Sequence, residues 1–504
     1  MTSKVYAPNV HLFAFHLKTS EPTTLLWDKC NEIISEKFGV TKQLEIEEES
    51  GYRVDLLKDK TTDDVAFHFG SNVTLDNTSL AVTGVATPLR IQDTYGLALN
   101  LRRPELEQNQ TQRTQAVPSS FLKQLNPAGC LMPEQISSSI GQTLVLTVWY
   151  TEQKRWVPWK LLQHRQEIRK LADECLRAFI PAQIPCPHFN QEGELFGSPI
   201  FEYGVPSQPE KYCHILVWIF WEPEASDKFI DYYSNFINLF CYRNKVIRAY
   251  QLNRDVYQVI KREYQTIEQY FDQTFQHWPA SQSLSQAELD KFKEDIKSVS
   301  QKALDYSRLL RDLDHYRLTI TINAENYKRE LRDISGKLPQ DDLSFLETFF
   351  NDCRLFQEQI QSDLGYFGNG AALLEQALSA IRARVDIDQA EREKRLERWI
   401  ALVGTGLAVS GISSQTAGKP VESIIDPKQS LDCPTAGVTP CLTYSVVFVL
   451  FHVAVGVIGA LILNGIINLV SKREQGTAMQ RGLGGFPHER LHQDGNREQG
   501  IEKS

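Results

Sequence analysis

The segment from Leu442 to Val470, LTYSVVFVLFHVAVGVIGALILNGIINLV, runs for 29 residues without Asp, Glu, Lys or Arg. As a helix it is about 43 Å long, more than the ~30 Å hydrocarbon core of a bilayer. Buried helices of water-soluble folds rarely keep apolar surface uninterrupted for so long, so a transmembrane helix is predicted over 442–470. A mean hydropathy of −0.33 conceals it, because charged residues make up 23% of the 504-residue chain and lie elsewhere. A second uncharged stretch, Trp399–Ile412, is shorter at 14 residues. Small polar residues from Ser413 to Gly418 extend it, and Trp399 stands where an interfacial aromatic belongs, so 399–418 is read as the first span.

Lys394, Arg395 and Arg398 precede the first span and Lys472 and Arg473 follow the second; the loop 419–441 carries only Lys419 and Lys428. Basic residues favour the cytoplasmic side, so both termini are expected in the cytoplasm and the loop outside: a multi-pass hairpin in the inner membrane. The first residues, MTSKVYAPNVHLFAFHL, lack an apolar run followed by a small-residue cleavage site, and the N-terminal part is expected to stay cytosolic. A net charge of −9 without a long basic block argues against nucleic acid as a partner. The cysteines of this part are scattered with no C-x-x-C pair, as expected of reduced thiols.

Up to about residue 222 strand-like and helix-like runs alternate. HLFAFHL, VAFHFG, LAVTGVA, GLALNL, TLVLTVWY and PIFEY have strand character, and HILVWIFW is apolar enough for a strand buried on both faces. Leu26, Cys30, Ile33 and Ile34 fall at helical spacing, as do Ile168, Leu171, Cys175 and Phe179; Glu105–Pro118 reads as a polar loop. The expected fold is a cytosolic α/β (or α+β) domain over 1–222.

From Pro223 onward the pattern is helical. Ser226 is positioned to cap one helix, and Ser285 with Glu288 has capping-box spacing for the next. Phe292, Ile296, Val299, Ala303, Tyr306, Leu310 and Leu313 alternate by four and three, the spacing of long packed helices, until Gly336 and Pro339. Leu346, Phe349, Cys353, Phe356, Ile360 and Leu364 line a further helix, predicted to end in a turn at GYFGNG, Gly365–Gly370. These place a helical bundle or coiled-coil region at 223–370 and a stalk helix at 371–398, with 471–504 a disordered cytosolic tail. The charges of the stalk pair internally at i,i+4, as in Arg384–Asp388 and Glu391–Arg395. Along it runs a stripe of mostly small residues: Ala380, Ala383, Ile387, Ala390, Lys394, Glu397, Ala401, Gly404, Ala408 and Gly411. Such a stripe lets helices approach closely, either as copies around an axis or against the second span, where Gly456 and Ala460 are the small positions.

An α/β domain, long helices, a stalk running into the first span, a second span and a basic end together resemble the CorA-type magnesium channel superfamily. The residues that carry the likeness are LLEQALSAIRARVDIDQAEREKRLERWIALVGTGLAVSG and LTYSVVFVLFHVAVGVIGALILNGIINLVSKRE, and it covers about 226–473. The resemblance implies a homopentamer whose first span lines a pore and whose stalk transmits gating, with a divalent cation as the associated ion. At the outer end of the first span this chain has GISSQTAGKP in place of the family's Gly-Met-Asn, so magnesium selectivity is not implied. None of the family's metal-sensing carboxylates is matched locally.

In the first span Gly406, Ser410 and Ser413 share a stripe beside Thr405 and Ser414, and these are the pore-lining candidates; tight packing of a Gly/Ser-rich helix accounts for them equally. His452, Asn464 and Asn468 are the strongly polar residues of the second span, suited to hydrogen bonding between helices or, for His452, to a proton or metal. Cys433 and Cys441 in the external loop are candidates for a disulfide. HERLH, His488–His492, has zincin spacing but sits in a polar Gly-rich tail that offers no core for a third ligand. Cys186-Pro187-His188 and Cys213-His214 each lack a second metal-binding pair, and no cofactor is identified. No nucleophile–base spacing points to an enzyme. The leading expectation is therefore a homo-oligomeric, lipid-embedded pore gated by its cytosolic domain. The alternative is a membrane-anchored effector or sensor, as in a bacterial defence pathway, whose cytosolic domain binds a ligand or protein partner of unassigned identity. A scaffold merely tethered by the hairpin is the third.

Overall fold

The computed structural model describes residues 3–389 apart from 60–64, 76, 108–111, 152–160, 209–211 and 277–285, together with Leu450, Ile458 and Ile462. One mixed sheet of ten strands organises the first half. Its strands are β1 (Lys4–Leu17), β2 (Arg53–Asp55), β3 (Phe67–Leu75), β4 (Thr78–Ile91), β5 (Thr94–Arg102), β6 (Val117–Pro118), β7 (Gly141–Tyr150), β8 (Phe189–Leu195), β9 (Ser198–Tyr203) and β10 (His214–Phe220). The spatial order is β2-β4-β5-β1-β7-β10-β9-β8, with β3 on β4 and β6 on β1. Strands β7 and β10 run parallel, joined by a crossover containing α3 (Leu161–Phe179), as parallel neighbours require. The sheet also carries α1 (Leu25–Glu32) and α2 (Pro133–Ile136) on its connections.

The period-two alternation of the strands divides the interior into two cores. On one face Val10, Leu12, Leu144, Leu146, Ile215 and Val217 pack against α1 and α3, where Leu26, Cys30, Ile168 and Cys175 are buried. On the other, Phe13, Phe15, Val145, Leu216 and Trp218 pack against helices from the second half of the chain. Strand β10 is buried along its whole length, as its unbroken apolar run predicts.

Those helices are α4 (Pro223–Asp231), α5 (Tyr233–Gln276), α6 (Gln286–Lys337), α7 (Ser344–Glu347) and α8 (Phe349–Gln389). The first begins at Pro223, three residues before Ser226: proline's fixed φ and missing N–H suit the first helical position, and Ser226 lies inside the helix rather than capping it. Beyond the sheet α5, α6 and α8 form a third core of their own, where Val299, Ala303, Tyr306 and Leu313 are buried at the predicted four-three spacing. Among the described residues no helix is long and apolar enough to cross a membrane; the two spans expected at 399–418 and 442–470 lie outside them, save that Leu450, Ile458 and Ile462 are helical and exposed.

GYFGNG is not a turn. Helix α8 passes through it unbroken for 41 residues, about 60 Å. Gly370 explains why glycine is there: a Cβ would stand 2.6 Å from the Tyr306 hydroxyl and 2.8 Å from Tyr264 Cδ2. That hydroxyl donates to the Phe367 carbonyl at 2.7 Å and cannot easily retreat. Gly365 and Gly368 meet nothing within 4 Å. Opposite results are therefore expected in one helix. Gly370→Ala should lower the unfolding midpoint by overpacking, ~1–3 kcal/mol, despite alanine's better helix propensity. Gly365→Ala and Gly368→Ala should each raise stability by about 1 kcal/mol. Denaturant titration of the three variants checks the signs.

Candidate functional site

Two polar assemblies stand out on the sheet face that meets the helices, one closed and one open. The closed one begins at Glu202 on β9 and Arg243 on α5, which form an ion pair with both side chains almost fully buried. Arg243 Nε also donates to the Tyr212 hydroxyl at 3.2 Å, and its guanidinium lies 4.1 Å from the Phe349 ring centroid at the start of α8. Gln191 Nε2 donates to Glu202 Oε2 (2.6 Å) and to Thr348 Oγ1 (2.7 Å). Next to the pair, His214 Nε2 is 3.2 Å from Glu202 Oε1, and its Nδ1 is 2.9 Å from Thr143 Oγ1. Asn244 Nδ2 donates to that Thr143 oxygen as well.

Carboxylate, imidazole and hydroxyl in a row are the parts of an acyl-transfer triad, but substrate has no way in. Glu202, His214 and Thr143 are 2%, 2% and 0% exposed, and the adjoining void is about 10 Å³, room for at most one water. The row is a structural pin between sheet and helices. Burial opposes both charges. Arg243 nonetheless holds the Glu202 carboxyl down at about 2, while burial, with Arg243 adding to it, pushes His214 down to about 4. Asp352 on α8 is pushed up to about 6 by burial, which outweighs the pull of Arg243.

The open assembly is a trough of about 1010 Å³ lined in large part by residues of β3, β4 and β5. Its floor is made of small side chains, among them Gly70, Ala81, Thr83 and Ala98. One wall is α4 with Ser226, Phe229 and Ile230; the other is the segment Arg103–Glu107. Register sets the polar centre: His11 on β1 faces Asn100 on β5, and Asn9 faces Arg102. Asn100 Nδ2 donates to Asn9 Oδ1 (2.6 Å) and to His11 Nδ1 (2.8 Å), with the Tyr233 hydroxyl 3.1 Å from the same nitrogen. Burial, helped by the Arg102 charge, pushes His11 down to about 3, so the ring is neutral and works as a hydrogen-bonding group rather than a cation. Trp149 closes one end, its indole N–H donating to Glu105 Oε1 at 3.1 Å.

A third feature lies on α8. Counting back from Ala380 and Ala383 in the same four-three rhythm gives Gln376, Leu373, Asn369, Tyr366, Ser362, Gln359 and Leu355. Apart from the half-buried Leu373, these are exposed, with Leu355 55% and Tyr366 57% accessible, and none is charged. In sequence the small-residue stripe of the stalk keeps the same rhythm as this exposed face. Charges such as Arg354, Glu358 and Glu375 stand off the seam.

The residues proposed from sequence for the membrane region lie outside the described residues: Thr405, Gly406, Ser410, Ser413 and Ser414; Ala401, Gly404, Ala408, Gly411, Gly456 and Ala460; His452, Asn464 and Asn468; Cys433 and Cys441; and the HERLH motif. His214 opens β10, Cys213 just before it is a free, half-buried thiol, and Cys186 is an exposed thiol. Among the described residues no group of three or more His, Cys, Asp or Glu is placed to hold a metal ion, so the divalent cation implied by resemblance has no ligand set there. Neither trough nor pin carries a local motif; their members come together only through strand register and helix docking. A search of family models, of curated proteins and of solved structures found no match to the chain.

Proposed function

We propose that the chain is a divergent CorA-like protein of the inner membrane, with both termini cytoplasmic, assembled from several copies around an axis so that its first spans form an ion path gated by the sheet domain. The observation that carries this reading is the seam of α8. An exposed helix face of such length without a charge, in register with the alanine–glycine stripe toward Trp399, is suited to packing against the same face of other copies. A strict four-three repeat also winds such helices into a left-handed supercoil, which is how parallel rods keep one face turned inward. The number five comes from the resemblance, as does any divalent ion. Thr405, Gly406, Ser410, Ser413 and Ser414 would then face the path, and an external disulfide Cys433–Cys441 would hold the outer ends of the hairpin.

The second reading, an anchored sensor or effector whose spans do not conduct, is favoured by the trough: a large open site on the cytosolic part serves a sensor as well as a gate. Two measurements separate them. The mass of the detergent-solubilised chain should be that of an oligomer, since two spans cannot enclose a path alone, and a monomer ends the pore reading. Planar-bilayer recordings with ion substitution should give a defined cation-selective current; a silent oligomer leaves the anchored sensor.

A further inference from the structure

Two buried amide oxygens near the start of β7 have no donor. Asn244 on α5 is 3% exposed; its Nδ2 donates to Thr143 Oγ1 at 2.9 Å and to the Phe240 carbonyl at 2.8 Å, and its Oδ1 accepts nothing among the described residues. Gln142 is 5% exposed; its Nε2 donates to the Leu131 carbonyl at 2.7 Å, and its Oε1 is buried without a partner. In each amide a backbone carbonyl takes a hydrogen from the nitrogen, which fixes where the oxygen lies. Buried acceptors are nearly always supplied with a donor, and both residues line one pocket of about 360 Å³ between the segment 137–142 and α5. Gly141 opens it: its φ is +127°, and a Cβ there would stand 2.9 Å from Asn244 Oδ1. Glycine at 141 thus keeps the approach to that oxygen clear.

The same wall carries a cation. Asn244, Arg248 and Gln251 recur at i, i+4 and i+7 on one face of α5, and all three line the pocket. Arg248 Nη1 reaches Gln251 Oε1 at 3.4 Å, which places the guanidinium beside a second lining residue. None of the described residues that line the pocket is acidic. The arginine calls for an anion whose oxygens match its N–H fork. An anion made only of acceptors would leave both amide oxygens unpaired. An ammonium group would meet no acid in the lining and would stand near the charge of Arg248. The volume lies at the small end of ligand sites. We infer that this pocket binds a small hydroxycarboxylate, its carboxylate on Arg248 and its hydroxyls donating to Asn244 Oδ1 and Gln142 Oε1. The site is separate from the trough and holds whether or not the spans conduct.

The test is equilibrium dialysis of the full chain in lipid nanodiscs against lactate, glycerate and gluconate, with propionate, sulfate and glycerol as controls. At least one hydroxycarboxylate should saturate one site per chain. Each control should bind about tenfold or more weakly, because propionate and sulfate bring no hydroxyl donor and glycerol brings no charge. Arg248→Gln, at a half-buried position, should weaken the hydroxycarboxylate about tenfold or more and erase its preference over glycerol, with an unchanged melting midpoint. Arg248→Lys, which keeps the charge without the fork, should fall between the two. No saturable binding by any of the three overturns the inference. So does propionate or sulfate binding as tightly as the hydroxycarboxylate, or a preference over glycerol that survives Arg248→Gln. A chain that conducts but binds none of them loses this inference and keeps the pore; one that binds and never conducts keeps this inference and loses the pore.

Discussion

On the axial packing proposed for α8, glutamates introduced together at Ala380 and Ala383 should convert the detergent-solubilised oligomer into single chains. Both positions are exposed in the protomer, so the change costs its folding little. In an assembly closed around an axis each copy brings the same new charges to the same height on the seam, and they confront one another rather than a neutral surface. Juxtaposed like charges cost several kcal/mol, and the cost recurs at every interface of the ring. Light scattering of the purified double variant should therefore report the single-chain mass, with the far-ultraviolet spectrum of the parent. Co-expression of an Ala383→Glu chain with an Ala383→Lys chain should restore the oligomer, because opposite charges then meet across the seam. An unaltered mass in the double glutamate variant would show that α8 faces lipid, solvent or another part of its own chain, and the axial arrangement would have to be given up.

Much of the architecture was legible because it follows from short-range periodicity. HLFAFHL, GLALNL and HILVWIFW became β1, β5 and β10, and the four-three rhythm of Ile296 to Leu313 became the buried face of α6. Failures arose where a local signal competed with tertiary contact. Gly365, Gly368 and Gly370 weaken a helix individually, which makes GYFGNG look like a turn, yet close packing of Tyr264 and Tyr306 on Gly370 carries α8 through. Ser226 looked like a cap, but Pro223 already satisfies the start. The polar cluster of the trough is harder still. His11, Asn100, Arg102 and Tyr233 are separated by up to 222 residues and meet only through antiparallel register and the docking of α5. Their one local hint is Asn100, a buried polar residue within otherwise apolar GLALNL, with exposed Arg102 ending the strand.

Removing one half of the buried ion pair has the largest effect expected on stability. Arg243→Met should destabilise the protein by ~3–5 kcal/mol, since Glu202 would stay in the interior as an unpaired charge. The double variant Glu202→Gln/Arg243→Met should recover most of that loss, because the neutral amide keeps a hydrogen-bonding partner in Gln191. The pH dependence carries the sign. In the parent, Glu202 is held at about 2, below its ordinary value near 4.5, so its contribution is complete above pH 4.5 and fades as the pH falls toward 2. Without Arg243 its carboxyl moves above the ordinary value, and protonation then relieves the deficit. Thermal midpoints of variant and parent should therefore converge on acidification from pH 8 toward pH 5. Arg243 also holds His214 and Asp352 down, so in the variant both take up protons more readily and add to the convergence, while titration of His11, on which Arg243 does not act, largely cancels in the difference. A gap that stayed constant with pH would mean that Arg243 acts through its stacking on Phe349 rather than through its charge.

The position of Tyr233 has a mechanical meaning. It is the first residue of a helix of 44 residues, about 65 Å of nearly rigid rod, and its hydroxyl sits against His11 at the margin of the trough. Anything wedged there displaces the short arm of a lever. A tilt of about 2° at that end swings the far end of a rod this long by about 2 Å, comparable to the helix shifts by which switching proteins change state. Amplification of this kind needs no soft hinge, only a fulcrum, and the bolt formed by Glu202 and Arg243 lies along the same helix a few turns farther on.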